Sequence, residues 1–383
     1  MIATHLRLEN WRNFRSLDVP LHDTTYVLGA NAVGKSNLLD VFRFLRDVAK
    51  PQGGGLQKAL ELRGGTQKLR CLHARSNPEV CIDVLMTEPG PDSATWRYVL
   101  AFKSEPHGKH ETRIAREEVW KDDICLLSRP DAGDKRDRIR LTQTALEQIQ
   151  VNAPFREIAT FFGAVTYLHL VPQLLKFGDR IGGIRLEDDP FGQGFLDRIA
   201  NTPQTTRTAR LKRIQEVLVH AVPQFAELKF ERDEHGQPHL SALYEHYRPK
   251  AGWQREVHFS DGTLRLVALL WTLLEGDSML LLEEPELSLN DAIVEQIPSM
   301  MARVSRRSGR KRQIIISTHS EALLSNPGID GRGVILLQAG REGSEARSLE
   351  ENEKASLKAG FSVAEIVLPK ARPVNPNQMM LPL

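Results

Sequence analysis

The residues best able to do chemistry stand between Leu28 and Asn37, which read LGANAVGKSN. Gly29, four further residues, and then Gly34-Lys35-Ser36 satisfy the pattern G-x-x-x-x-G-K-[ST]. Glycines at those positions let backbone N–H groups turn inward onto an anion. A helix that follows directly aims its positive end at the same point, and a lysine there reaches β- and γ-phosphates. The hydroxyl of Ser36 suits Mg²⁺, a hard cation that prefers oxygen ligands. Gly29, Ala30, Asn31, Ala32, Val33, Gly34, Lys35, Ser36 and Asn37 are therefore expected to bind a nucleotide.

Such a loop needs acidic partners, and Met279 to Leu282 lead directly into Glu283-Glu284-Pro285-Glu286. Carboxylates at the end of an apolar strand can serve a metal (Glu283) and polarise an attacking water (Glu284). Further on, Ile314 to Ile316 end in Ser317-Thr318-His319, which puts His319 at a strand end where a γ-phosphate could be met. Upstream of both, Phe259-Ser260-Asp261-Gly262-Thr263 opens the apolar stretch LRLVALLWTLLEG, with Ser260 or Asp261 as the expected helix cap.

The elements that must position these residues are legible from periodicity. Thr25 to Leu28 is a β-branched and aromatic run, and Leu38, Leu39, Phe42, Leu45 and Val48 follow at helical spacing. Strands are expected ahead of the loop in IATHLRL and WRNFRSLDVPL. From about residue 68 to 128, CIDVLMTE, TWRYVLAFK, RIAREEVWKD and DICLLS read as an antiparallel β lobe. GAVTYLHLVP reads as a buried strand, LKRIQEVLVHAV as a helix, 225–259 as a second set of strands, and RPDAGDKRDRIR as a solvated loop. The expected division is an N-terminal ATPase half (1–67), a β-rich lobe or insertion (68–165), a helical and strand lobe (166–257), a C-terminal ATPase half (258–345) and a Pro-rich tail (346–383). No repeat, long heptad run or low-complexity segment appears.

Composition removes other classes. With 383 residues, 41% hydrophobic and 26% charged, the chain is long enough for two or three lobes and is not disordered in character. Lys and Arg total 51 against 49 acidic residues, so net charge neither demands nor excludes nucleic acid. Cys71, Cys81 and Cys125 form no C-x-x-C pair, which argues against a disulfide framework or zinc knuckle and fits a reducing cytosol. No leader pattern and no apolar run of membrane-spanning length is read, so no membrane is expected.

The order of phosphate loop, distant SDGTLR, SMLLLEEPELSL and IIISTHS resembles an ABC-type ATPase of the soluble RecF- and SMC-like branch. More closely it resembles the stand-alone AAA-labelled ATPases akin to the overcoming-lysogenization-defect family. LRLENWRNFRSLDVPL is similar to the first strands of that branch. The resemblance implies an α/β fold with a mixed sheet, an antiparallel β lobe and a helical lobe, ATP and Mg²⁺ as cofactors, and a homodimer closed through ATP. It implies Lys35 and Ser36 as Walker A, Glu283 as the metal carboxylate, Glu284 as the catalytic carboxylate and His319 as the switch histidine. Ser260 and Gly262 match the signature that acts in trans, and Leu287 to Asp291 would be the dimer-facing D-loop. Gln173 is the candidate for the Mg²⁺-contacting glutamine. The chain departs from the family's pattern at Glu283, where many relatives have Asp, and at Asn290-Asp291, where His-Pro is frequent.

Relatives in the overcoming-lysogenization-defect family carry a TOPRIM nuclease after the ATPase. The stretch after His319 is short for one and contains no D-x-D pair, so an effector of nuclease or TOPRIM type is expected as a separate protein. Residues 303–312, RVSRRSGRKR, carry six basic side chains and no acid, making DNA or RNA a candidate ligand, with 129–140 a weaker one. The expected function is an ATP-hydrolysing, DNA-linked sensor or regulator in bacterial anti-phage defence or DNA maintenance. The alternatives are a slow ATP-gated scaffold holding a toxic partner, and an ABC transporter subunit.

Overall fold

Alternation of apolar and polar residues in the N-terminal strands builds a hairpin, β1 (Ile2–Trp11) and β2 (Phe14–Pro20), while the continuous apolar run of β3 (Thr24–Leu28) goes to a different sheet. The structure, a computed structural model, describes residues 1–74, 77–90, 93–105, 111–178, 186, 188–245, 252–308 and 312–371, the side chains of 305–308 and 371 excepted. Residues 372–383 of the C-terminal tail and part of the basic run 303–312 therefore lie outside the described residues.

The hairpin continues into β4 (Val80–Thr87), β5 (Thr95–Ser104), β6 (Thr112–Lys121) and β7 (Ile124–Arg129), giving an antiparallel sheet in the order β2-β1-β4-β5-β6-β7. Since β1 pairs with β4 from Ile2↔Thr87 to Glu9↔Cys81, this sheet straddles the boundary expected near residue 67. The reason is physical: one face of β1 and β2 is apolar and must be covered, and β4 to β6 extend the same buried face.

The second sheet is mixed. β8 (Thr166–Leu168), β12 (Leu280–Glu283), β13 (Ile314–Thr318), β14 (Val334–Gly340) and β15 (Gly343–Ser348) join β3 in the order β15-β14-β3-β13-β12-β8. All neighbours except β14 and β15 are parallel. The strands β3, β12 and β13 are buried on both faces, which is why they read as mainly apolar runs, while the antiparallel edge strand β15 is largely not buried. Val27, Leu281 and Ile315 face one core with the helix Lys35–Ala49, while Tyr26, Leu28, Leu280, Leu282, Ile314 and Ile316 face another with the helices Gln204–Ala221 and Asp261–Leu274. A small third sheet holds β9 (Phe225–Arg232), β10 (Pro238–Tyr244) and β11 (Trp253–Arg255).

The helix Lys35–Ala49 lies between the two large sheets and is buried nearly all round, charged residues included. Its acids are accordingly paired: Asp40 with Arg12 (2.6 Å) and Arg63 (2.9 Å), and Asp47 with Arg63 (2.8 Å) and Arg46 (3.0 Å). Residues 129–140, expected as a solvated loop, instead form a short helix Ala132–Arg136 and a 3₁₀ turn. They are anchored by buried Arg129, which binds Glu117 and Asp134 at 2.9 Å each.

Candidate functional site

Three parallel strands end side by side. β3 runs into the glycine loop, β13 next to it ends in Thr318, and β12 beyond ends in Glu283. The loop turns on Gly34, whose φ of 102° is left-handed, and a Cβ built there would lie 2.2 Å from Asn13 Nδ2. Asn13 is the brace. Its amide donates to the Val33 carbonyl (2.8 Å), its oxygen accepts from Asn37 Nδ2 (2.8 Å), and Trp11 Nε1 from the same turn donates to the Asn37 carbonyl (2.8 Å). Gly29 is tight as well, because a Cβ would meet Val33 Cγ2 at 2.6 Å and the Leu337 carbonyl at 2.7 Å. Ala30 is half-buried, Asn31 and Ala32 are exposed at the loop tip, and Ala32 also takes a positive φ of 65°.

Lys35 is buried and folds back on the loop, donating from Nζ to the carbonyls of Gly29 (2.9 Å) and Ala30 (3.1 Å). Burial pulls its pKa below the ordinary value, and the nearby charges of Glu284, Glu286 and Glu283 oppose that shift. Ser36 is exposed and its hydroxyl donates to Glu283 Oε1. A hydroxyl and a carboxylate oxygen meeting at one point fit Mg²⁺, which takes one or two protein oxygens and leaves the rest to phosphate and water. No cluster of three His, Cys, Asp or Glu fit to hold a metal occurs among the described residues.

Glu284 begins the turn after β12 in a left-handed conformation, φ 44°, and Ser288 later in the same turn has φ 64°. Such backbone costs about 1–3 kcal/mol per residue and is concentrated at functional sites. The turn brings Glu284 Oε1 to 3.1 Å from His319 Nδ1. Loop, carboxylates and histidine are thus gathered at one end of the sheet.

Ser260 caps the helix Asp261–Leu274, accepting from the Thr263 N–H (3.0 Å), and Gly262 is pressed against the Ser288 carbonyl, which a Cβ would approach to 2.5 Å. Among the described residues, Ser260 and Gly262 contact Thr263, Ser288 and Leu289, none of which belongs to the glycine loop. Gln173 is not brought to Ser36 or Glu283. Its amide donates to Asp261 Oδ2 (3.0 Å), beside Lys176, whose Nζ holds Oδ1 of the same carboxylate (2.6 Å).

Three residues of this neighbourhood escaped the sequence reading. Asn13 lies in the WRNFR turn, where only an unpaired amide between two strands hints at a brace. Tyr167, on β8, donates its hydroxyl to Glu283 Oε2. Glu286, the third acid of EEPE, is buried and accepts through Oε1 from the Thr318 hydroxyl (2.6 Å) and the His319 N–H (3.4 Å). Among the described residues its Oε2 meets no hydrogen-bond donor, and burial raises its pKa.

The basic stretch is reduced in the same way. Arg312 is buried and donates to the carbonyls of Thr272 (2.6 Å), Ser278 (2.7 Å) and Glu275 (3.0 Å), so it is not free for phosphate. Arg129, Arg138 and Arg140 are each paired with acids. Cys71, Cys81 and Cys125 are free thiols, and among the described residues no helix is long and apolar enough to cross a membrane.

The fold has solved counterparts. The head domain of an Smc protein, bound to the C-winged helix domain of ScpA, aligns over 92% of this chain and 100% of its own with a TM-score of 0.57 and 15% identity. An Smc head domain with an extended coiled coil, bound to the C-terminal domain of ScpA from Pyrococcus furiosus, aligns over 94% and 98% with a TM-score of 0.53 and 14% identity. No curated protein matches the chain in sequence. The family model described as "AAA domain, putative AbiEii toxin, Type IV TA system" matches residues 25–325, a span from β3 past His319. The chain belongs to that AAA-domain family and carries it on the ABC-type α/β fold of Smc heads.

Proposed function

We propose that the chain binds ATP on its glycine loop and hydrolyses it to ADP and phosphate within a two-fold pair of copies. The observation that carries this is the meeting of Lys35, Ser36, Glu283, Glu284 and His319 at neighbouring strand ends. In this reading Lys35 leaves the Gly29 and Ala30 carbonyls for the β- and γ-phosphates. Ser36 and Glu283 would hold Mg²⁺, which would supply neutralising charge to the phosphates when bound. Glu284 orients a water and takes its proton as the water oxygen bonds the γ-phosphorus and the bond to the ADP oxygen breaks. His319, held against Glu284 through Nδ1, offers its second ring nitrogen to the γ-phosphate.

Ser260 and Gly262 sit outside the glycine loop, Ser260 as a helix cap and Gly262 against the turn at Ser288, and we read them as completing the site of a second copy. Such a pairing is isologous and makes two sites at once. The effector is read as a separate protein of nuclease or TOPRIM type, an arrangement for which the two Smc heads, each bound to ScpA, offer a precedent. The family's description as a toxin module supports a place in bacterial defence. DNA remains a ligand of this proposal through the basic stretch that begins at Arg303, itself exposed.

The test is ATP turnover by wild type and Glu284→Gln, with mass followed by light scattering, each with and without double-stranded DNA. Loss of a general base lowers turnover by about 10²–10⁴-fold. The variant is expected to fall by that much, keep binding ATP and accumulate as an ATP-dependent dimer. Undiminished turnover in the variant would overturn the role of Glu284, and indifference of the wild type to DNA would remove DNA from the reading.

A further inference from the structure

The geometry points to Tyr167 as a positioning residue that orients the Glu283 carboxylate and so makes a glutamate serve where the branch's usual aspartate would be shorter. This rests on the reading of Ser36 and Glu283 as the Mg²⁺ ligands. Glu283 is held at both oxygens: Oε1 accepts from Ser36 and Oε2 from the Tyr167 hydroxyl. The sheet explains the meeting. β8 and β12 are parallel with Tyr167 opposite Leu281, so Glu283, two residues on, points to the same face about 6.6 Å further along. A tyrosine leaning along its strand covers that distance with its hydroxyl.

The ring has little freedom. Tyr167 is 6% exposed and packs in the core beneath the helix Lys35–Ala49, with the Arg43 guanidinium 4.0 Å from the ring centroid. Arg43 is itself held 3.8 Å from Asp40, the carboxylate that also takes Arg12 from the turn bracing the glycine loop. The phenol is thus fixed by the same helix whose first turn presents Ser36. A glutamate adds one methylene and one rotatable bond to an aspartate, and a carboxylate with that freedom binds a cation well only if something fixes it. Tyr167 supplies that restraint from the side away from Ser36, leaving Oε1 toward the cation.

The test measures cation affinity and not turnover. Mn²⁺ would replace Mg²⁺, with free Mn²⁺ followed by electron paramagnetic resonance in the presence of a non-hydrolysable ATP analogue. Binding of the analogue alone would be measured in EDTA. Loss of a group that orients a metal ligand costs roughly 10–100-fold in affinity. Tyr167→Phe is expected to weaken Mn²⁺ by about tenfold or more, with analogue binding in EDTA unchanged, since the ring and its packing remain. Glu283→Asp shortens the side chain away from the phenol, so adding Tyr167→Phe to it should cost nothing further. If Tyr167→Phe holds Mn²⁺ as tightly as wild type, or weakens it equally in the Glu283→Asp background, the inference is wrong. If wild type fails to bind the analogue in EDTA, the phosphate-loop reading itself falls and takes this inference with it.

Discussion

The side chain of Asn13 carries two of the glycine loop's restraints, the Val33 carbonyl and the Asn37 amide, and is tethered in turn to the Ser344 hydroxyl of β15 at 2.5 Å. Leaving those groups unpaired in a partly buried place costs about 1–2 kcal/mol, or roughly tenfold in a binding constant. Asn13→Ala should therefore weaken a fluorescent ATP analogue about tenfold, while circular dichroism stays that of wild type. An unchanged affinity would mean that Gly34 and Lys35 shape the loop without help. At this scale the sequence exposed what is local. Gly29 to Ser36 are recognisable because the loop's chemistry is written in consecutive residues, and Glu283, Glu284 and His319 because each follows its own apolar strand. Asn13 and Tyr167 act through side-chain tips on partners 20 and 116 residues away, and no local periodicity records such a meeting. The one contact shown for Gln173 is equally distant in sequence, its amide nitrogen donating to Asp261.

Among the elements, strands were legible and their partners were not. β4 to β7 stand out through alternation, but that β1 joins them, and that β13 separates β3 from β12, is decided by which faces need covering. The helix Lys35–Ala49 hides a second layer. Its acids look solvated on the sequence, yet sandwiching between two sheets buries them, and Arg12, Arg46 and Arg63 neutralise them. The C-terminal helices use the same device. Glu353 accepts from Arg347 (2.7 and 3.0 Å) and from Lys370 (2.6 Å), tying Glu351–Lys358 to β15 and to Val363–Ala371. The Arg347 hydrogen bonds, ahead of the burial that opposes them, pull the carboxyl from 4.5 to about 2. Because the folded value is the lower one, this stabilisation is complete above 4.5 and is lost as pH falls from there toward 2. Glu353→Gln should lower stability by about 2 kcal/mol at neutral pH, with the gap to wild type closing in acid. Thermal melts across pH check it, and a gap independent of pH would show that packing and not charge is what Glu353 contributes.

The whole molecule has a glycine loop at one end of its sheet and, at the N-terminus of the helix Asp261–Leu274, Ser260 as cap and Gly262 against the turn at Ser288. In the proposed reading one copy presents two unlike halves of a site. Its longest described helix has 18 residues, Gln204–Ala221, so the described residues include no arm comparable to the extended coiled coil of the Pyrococcus furiosus Smc head. The central claim is that each ATP is held by the loop of one copy and the signature of the other, and mixing two inactive variants tests it most directly. Lys35→Ala and Ser260→Ala should each be inactive alone. In a mixed dimer, one site pairs both defects and the other pairs an intact loop with an intact signature. At equal concentrations, half of the dimers would be mixed and each would carry one good site, so turnover should recover to roughly a quarter of wild type. Failure of the mixture to recover, with mixed dimers shown to form, would contradict a site shared between copies.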